Sequence, residues 1–139
     1  MADQILVPMD DSEMAERALR HALETREGAE ITVLKVVGKS TPMMGEAVGL
    51  ALEDDFEEAA EERASEVFDR ANEIAAEYET EIHTKVAVGQ PAQTIVEESA
   101  AFDGIFLGSH SRSLIDRLLV GNVASTVAKQ APVPVTVVR

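Results

Sequence analysis

Short apolar runs alternate with segments of helical periodicity along the chain. Strands of a parallel sheet that is covered on both faces are hydrophobic throughout, and successive parallel strands are joined by a crossover that is usually a helix. The alternation therefore predicts an α/β fold, in which a five-stranded, mainly parallel open sheet carries helices on both faces.

The periodicity also sets the bounds of these elements. The predicted strands are Gln4–Pro8, Ile31–Val37, Glu81–Val88, Gly104–Leu107 and Val133–Val138. The predicted helices are Ser12–Thr25, roughly Gly49–Tyr78, Pro91–Ser99 and Val123–Gln130. The stretch from Glu53 to Glu81 is rich in acids, but its apolar residues recur every three or four positions. The acids are therefore expected to form the solvated face of a long amphipathic helix.

Composition narrows the class of protein. A chain of 139 residues is expected to form one domain, residues 1–139. It has no cysteine, no long apolar run and no signal-peptide pattern, so we expect a cytoplasmic protein. The formal net charge of −14 argues against nucleic acid and anionic membranes as partners. An acidic chain with only four lysines also suggests a salt-loving source, for which added salt would raise stability.

The segment from Asp103 to Val123 has the composition of an anion-binding turn. Its apolar run ends at Gly108, and the small, donor-rich residues that follow offer backbone N–H groups. Gly121 and Asn122 then precede a helix, and asparagine is a good N-cap, so the helix dipole would favour the same anion. The alternative is an ordinary turn and cap of an α/β protein.

The ends of three predicted strands are expected to meet. Asp10 follows the first strand, Val36 and Val37 end the second, and Gly108 follows the fourth. Ligands of open parallel sheets bind outside the carboxyl ends of the strands, where the strand order reverses. We therefore expect these residues to line one crevice. For Asp10, capping of the first helix together with Ser12 is an equally good interpretation.

Both ends of the chain resemble the universal stress protein family. At the N-terminus the resemblance rests on the segment from Ile5 to Glu13 and the amphipathic helix after it. At the C-terminus it rests on residues 103–139, which end in Ala131-Pro-Val-Pro-Val-Thr-Val-Val-Arg139. The resemblance implies a Rossmann-like fold of the adenine nucleotide alpha hydrolase type. It also implies a stress-response regulator that binds ATP, with ADP or AMP as the alternatives and Mg²⁺ held only through the nucleotide.

The family's motif carries over position by position. It implies Asp10 at the ribose, Pro8 and Val36 around the adenine, and Met9 and Leu107 within the same nucleotide-binding set. Around the phosphates it implies Gly108, His110, Ser111, Gly121, Asn122 and Val123.

The chain departs from the family's ATP-binding pattern at two positions. Ser111 stands where the pattern has its second glycine, and Asn122 stands where it has a serine or threonine. A side chain at Ser111 matters if that position needs positive φ or an open approach to phosphate. The alternative function is therefore a nucleotide-free dimeric interaction protein whose phosphate cradle has degenerated.

The resemblance also implies a homodimer through the fifth strand, where Val133, Val135 and Val137 would leave a hydrophobic edge unpaired. An unidentified protein partner is expected as well. No spacing indicates a nucleophile with its base, so we expect no enzyme beyond slow, incidental ATP hydrolysis. The three histidines lack the spacing of a metal site, and a flavin site would need more aromatic residues than the chain has.

Overall fold

The computed structural model describes residues 3–38, 53–109 and 121–139. The strands are β1 Gln4–Pro8, β2 Glu30–Val37, β3 His83–Val88, β4 Gly104–Gly108 and β5 Val135–Val138. The helices are α1 Glu13–Thr25, α2 Glu53–Glu77, α3 Pro91–Ser99 and α4 Asn122–Gln130. Within this part of the chain no helix is long and apolar enough to span a membrane.

The strands form one sheet in the order β3-β2-β1-β4-β5, and every pair in it is parallel. The predicted fold class is confirmed. The chain first adds β2 and β3 on one side of β1 and then adds β4 and β5 on the other side. The strand order therefore reverses between β1 and β4, which is where ligands bind in open parallel sheets.

Alternate side chains of the central strands enter two separate cores. Ile5 and Val7 of β1 pack under α1 and α2, whereas Leu6 packs on the opposite face with α3 and α4. All three side chains are at most 2% exposed. The hydrophobic runs read in the sequence are thus strands buried on both faces, as a doubly covered sheet requires.

The first turn of α1 is fixed by local hydrogen bonds. Ser12 is the N-cap, and its Oγ accepts from the Ala15 N–H at 3.2 Å. Glu13 and Glu16 lie in the first turn, where their charge suits the helix dipole. The buried face follows the predicted periodicity and consists of Met14, Ala15, Ala18, Leu19, Ala22 and Leu23.

Helix α2 confirms the interpretation of the acidic stretch. Its buried side chains recur every three or four residues: Ala64, Val67, Ala71, Ile74 and Ala75. The acids between them that the structure describes are exposed. The helix ends at Glu77, and Tyr78 just beyond it donates to a carboxylate oxygen of Glu24 on α1 at 2.7 Å.

Two predicted strands begin later than the sequence suggested. β5 begins at Val135 instead of Val133, because Pro132 and Pro134 have no N–H to donate to a ladder. β3 begins at His83, after a turn in which Glu79 has a φ of 53°. The predicted residues 49–52 of the long helix lie outside the described part of the chain.

Candidate functional site

The carboxyl ends of β1 and β4 bring the predicted nucleotide-binding residues to one edge of the sheet. Leu6 pairs with Ile105, so Pro8 and Leu107, two positions further along, leave the sheet side by side. The Met9 N–H then donates to the Leu34 carbonyl at 2.8 Å, which holds the chain against β2 as it turns toward α1. Residues of two strands that are distant in sequence thus lie at one edge of the sheet, and the predicted crevice would lie between them.

Asp10 stands at the mouth of this crevice. Its Oδ1 accepts from the Ser12 N–H at 2.9 Å, and Ser12 in turn caps α1. The two residues therefore have different functions. Ser12 accepts a hydrogen bond from an N–H group in the first turn of α1, and Asp10 stabilises the turn before the helix. The second oxygen of the half-buried Asp10 carboxylate has no hydrogen bond to a described residue. That oxygen is available to a ligand hydroxyl.

Gly108 is required by the packing of α1. A Cβ at this position would lie 2.9 Å from both the carbonyl carbon and the carbonyl oxygen of Met14. Its φ is not in the left-handed region, so the constraint is steric. The family motif places this glycine at the phosphates, but in the structure its missing side chain makes room for the first turn of a helix.

Two backbone hydrogen bonds fix the chain on either side of residues 110–120. The Ser109 N–H donates to the Val138 carbonyl at 2.7 Å, and the Gly121 N–H donates to the Ser109 carbonyl at 2.6 Å. Ser109 is 2% exposed, and Gly121 is buried. The end of β4 and the start of α4 are thereby held together at the crevice.

The N-terminus of α4 differs from the prediction at the cap. Gly121 is the N-cap and Asn122 is the first helical residue, so the expected Asn122 cap is wrong. The extended backbone of Gly121, with φ −64° and ψ 161°, suits the capping position. Within residues 3–38, 53–109 and 121–139 no side chain caps this helix, and these residues leave N–H groups of its first turn for another acceptor.

These uncapped N–H groups are the donor set that a phosphate needs, since a helix N-terminus offers backbone donors and a favourable dipole. Pro8, Met9, Asp10, Leu107, Gly108, Gly121 and Asn122 converge on this edge. The Val36 and Val123 side chains pack with the core under α3 and α4. His110 and Ser111 lie outside the described residues.

Among the described residues no three His, Asp or Glu side chains are grouped so that they could hold a metal ion. The His21 ring lies against Phe106 with the ring centroids 5.7 Å apart. His83 is exposed at the start of β3.

A cavity of about 550 Å³ lies beside Asp10, between α1 and α2 on the other face of β1 and β2. Met9 and Asp10 belong to both the predicted site and this cavity. The rest of its lining was not predicted: Asp11, Glu16, Lys35, Arg63, Glu66, Val67 and Arg70. No sequence motif unites them, because they come from three elements. The signal available was Arg63, Glu66 and Arg70 on one face of α2.

An ion pair joins α1 to α2 at this cavity. Arg70 Nε lies 2.5 Å from Glu16 Oε1, and Arg70 Nη1 lies 3.1 Å from Glu73 Oε2. The hydrogen bonds to Glu16 and then Glu73 raise the pKa of the Arg70 guanidinium, so its charge is fixed. Glu16 is therefore engaged by a cation within the protein.

β5 forms one edge of the sheet, as predicted. The side chains of Val133, Val135 and Val137 pack against the α3 and α4 core, and all three are half-buried. Any pairing along this edge would therefore use the backbone of β5 and the exposed parts of these three valine side chains.

Comparison with known proteins agrees with the fold. The family model described as the Universal stress protein family matches residues 1–139. Universal stress protein MJ0531 of Methanocaldococcus jannaschii is 33% identical over 98% of this chain and 81% of its own. Universal stress protein UspA from Lactobacillus plantarum superposes with a TM-score of 0.75 at 27% identity, covering 99% of this chain and 97% of that one. A universal stress protein in complex with cAMP has a TM-score of 0.71 at 22% identity, covering 99% and 97%.

Proposed function

The chain belongs to the universal stress protein family, and on this premise we propose that it is a dimeric stress-response regulator that binds an adenine nucleotide, ATP first among the candidates. The nucleotide lies in the crevice between β1 and β4. Occupancy of the crevice is the signal that a protein partner reads. The cytoplasmic location expected from the sequence is part of the same proposal.

One observation carries the nucleotide proposal: the N-terminus of α4, which follows β4 next to the point where the strand order reverses, has no side-chain cap among the described residues. A phosphate at that helix end would accept N–H groups that have no acceptor in the helix. The Asp10 carboxylate, whose second oxygen is not used within the described chain, lies at the same edge and suits a ribose hydroxyl. The cAMP complex of a family member supports an adenine nucleotide as the ligand.

Within this proposal the remaining residues shape the pocket. Pro8, Met9, Val36 and Leu107 supply apolar surface for the adenine. Gly108, Gly121, Asn122 and Val123 supply backbone at the phosphates, with His110 and Ser111 beside them. Binding needs no bond to be broken, and no nucleophile and base are proposed.

Calorimetric titration of nucleotide-stripped protein with ATP and Mg²⁺ in molar KCl tests the proposal. We expect saturable binding of one nucleotide per subunit and at least tenfold weaker binding by Asp10→Asn, as for loss of a charge-assisted hydrogen bond. Asp69→Asn, an exposed acid on α2, is the matched control and should bind as wild type does. Absence of heat up to millimolar ATP refutes the proposal.

A specific observation favours the nucleotide-free alternative. The Ser109 and Gly121 N–H groups, which a phosphate-binding turn would present, are both used by backbone carbonyls. If this geometry excludes phosphate, Ser111→Gly will not create binding. If only the Ser111 side chain obstructs the site, the same substitution will create or tighten ATP binding.

The dimer is proposed through the β5 edge, since pairing of two such strands about a twofold axis removes the open edge. Sedimentation equilibrium at micromolar concentration should give twice the chain mass of 15.0 kDa. A single species of 15.0 kDa contradicts the dimer.

A further inference from the structure

We infer that the α1–α2 cavity is a second binding site, which takes the oxyanion of a small molecule, a phosphate or phosphoryl group, between Lys35 and Arg63. The cavity is separate from the uncapped end of α4, because its lining includes no residue of β4 or α4. Its volume of about 550 Å³ is in the range of small-molecule sites, which is roughly 300–1,000 Å³.

The cations at this cavity are unusual for an acidic chain. Acidic residues outnumber Lys and Arg 26 to 12, so most cationic side chains are expected to have a carboxylate within ion-pair distance. On α1, at its C-cap and on α2 the other described arginines each make a salt bridge: Arg17, Arg20, Arg26 and Arg70. Arg63 makes none with a described residue, and neither does Lys35. Both of these cations line the same cavity.

Lys35 makes the stronger case because it is half-buried on β2. A charged ammonium that has lost part of its water needs a counter-charge or hydrogen-bond acceptors. The other strand lysine, Lys85, has such a partner, since its Nζ lies 2.5 Å from Glu98 Oε2. An anionic ligand would give Lys35 the partner that the described chain does not.

Four carboxylates line the cavity as well: Asp10, Asp11, Glu16 and Glu66. Glu16 is bound by Arg70, and the Oδ1 of Asp10 accepts from the Ser12 N–H. Asp11 and Glu66 are exposed, so water and salt screen their charges from the half-buried Lys35. At the base of the cavity lie Met9 and Val67, which are 5% and 6% exposed. A low-polarity base strengthens the attraction of the two cations for an anion.

The experiment follows the Met9 methyl group by NMR of methionine-labelled protein at low ionic strength. Potassium phosphate and glycerol 3-phosphate, which carries no adenine, are titrated separately, with KCl at matched ionic strength as the control for screening. We expect a saturable shift of the Met9 signal with phosphate if the free ion is the ligand, and with glycerol 3-phosphate alone if the phosphoryl group needs an organic carrier. In Lys35→Gln/Arg63→Gln the affinity should fall about tenfold or more, as for loss of a charge-assisted hydrogen bond.

Lys129→Gln is the matched control, since Lys129 is exposed on α4 and has no salt bridge within the described residues. It should leave the titration unchanged. Arg63→Gln alone repeats the test, and because Arg63 is exposed this substitution is not expected to disturb folding. The inference is overturned if neither probe shifts Met9 saturably, or if the double variant binds as wild type does. Calorimetry with ATP measures the crevice separately, so failure at one site does not obscure the other.

Discussion

Gly108→Ala is expected to destabilise the protein by forcing β4 and α1 apart. The new Cβ would lie 2.9 Å from the backbone carbonyl of Met14, whereas an ordinary contact is 3.4 Å or more. The backbone must move by several tenths of an ångström, and it is held there by the Ser12 cap. Overpacking of this kind costs about 1–3 kcal/mol.

A gain offsets part of this cost. Alanine restricts the unfolded chain more than glycine does, which stabilises by about 0.4–1 kcal/mol where the backbone angles allow it. The net loss for Gly108→Ala is then about 1–2 kcal/mol. Gly104→Ala in the same strand is the control, because its Cβ would meet Ile5 Cδ1 at 3.5 Å and the Pro134 carbonyl oxygen at 3.6 Å. We expect Gly104→Ala to be neutral or slightly stabilising.

Urea unfolding followed by circular dichroism at a fixed protein concentration measures both variants. The midpoint of Gly108→Ala should fall with an unchanged slope, while that of Gly104→Ala should not fall. If Gly108→Ala is as stable as wild type, or if the two variants lose the same stability, the close approach of β4 to α1 is not what restricts this position.

Three further predictions concern the cap, the tyrosine and the salt dependence. Ser12→Ala removes the acceptor for the Ala15 N–H and should cost about 1 kcal/mol in urea unfolding, whereas Ser65→Ala on the exposed face of α2 should cost nothing. The Tyr78 hydroxyl donates a hydrogen bond to the Glu24 carboxylate, and this bond raises the pKa of the phenol. This stabilisation is complete below a pH of about 10 and is lost as the pH rises through the raised pKa. Tyr78 is the chain's only tyrosine, so tyrosinate absorbance should titrate higher in the folded protein than in urea, and equal midpoints would contradict the contact. The net charge of −14 predicts that the melting temperature rises with KCl, and a melting temperature independent of KCl would argue against a salt-adapted chain.

Most of the fold was predictable because its signals are local. The apolar runs around Leu6 and Ile105 are strands since both faces of the sheet are covered, and the spacing from Ala64 to Ile74 is that of a helix with one buried side. The ends of elements were less predictable. Asparagine is a common N-cap residue, but Gly121 and not Asn122 is the N-cap of α4. The backbone hydrogen bond from Gly121 to Ser109 fixes where this helix begins.

The candidate site was only partly predictable, because packing decides what a motif residue does. The sequence pattern identifies Gly108, but only the structure shows that its missing side chain makes room for Met14. The cavity beside Asp10 had only the signal of one α2 face, since Lys35 is one strand residue among apolar neighbours. Arg63, the second cation of the proposed site, lies on α2, where acidic residues dominate the sequence.

The hydrogen bond between Gly121 and Ser109 also bears on how such a protein can change over time. It joins the end of β4 to the start of α4 through backbone atoms alone, so this contact needs no particular sequence between Ser109 and Gly121. For a flexible loop, doubling the length costs only about 0.6 kcal/mol. We therefore expect insertions between Ser109 and Gly121 to preserve the fold. Recombination can supply new recognition sequences there, and protein engineers can graft a reporter peptide at the same point without redesigning the scaffold.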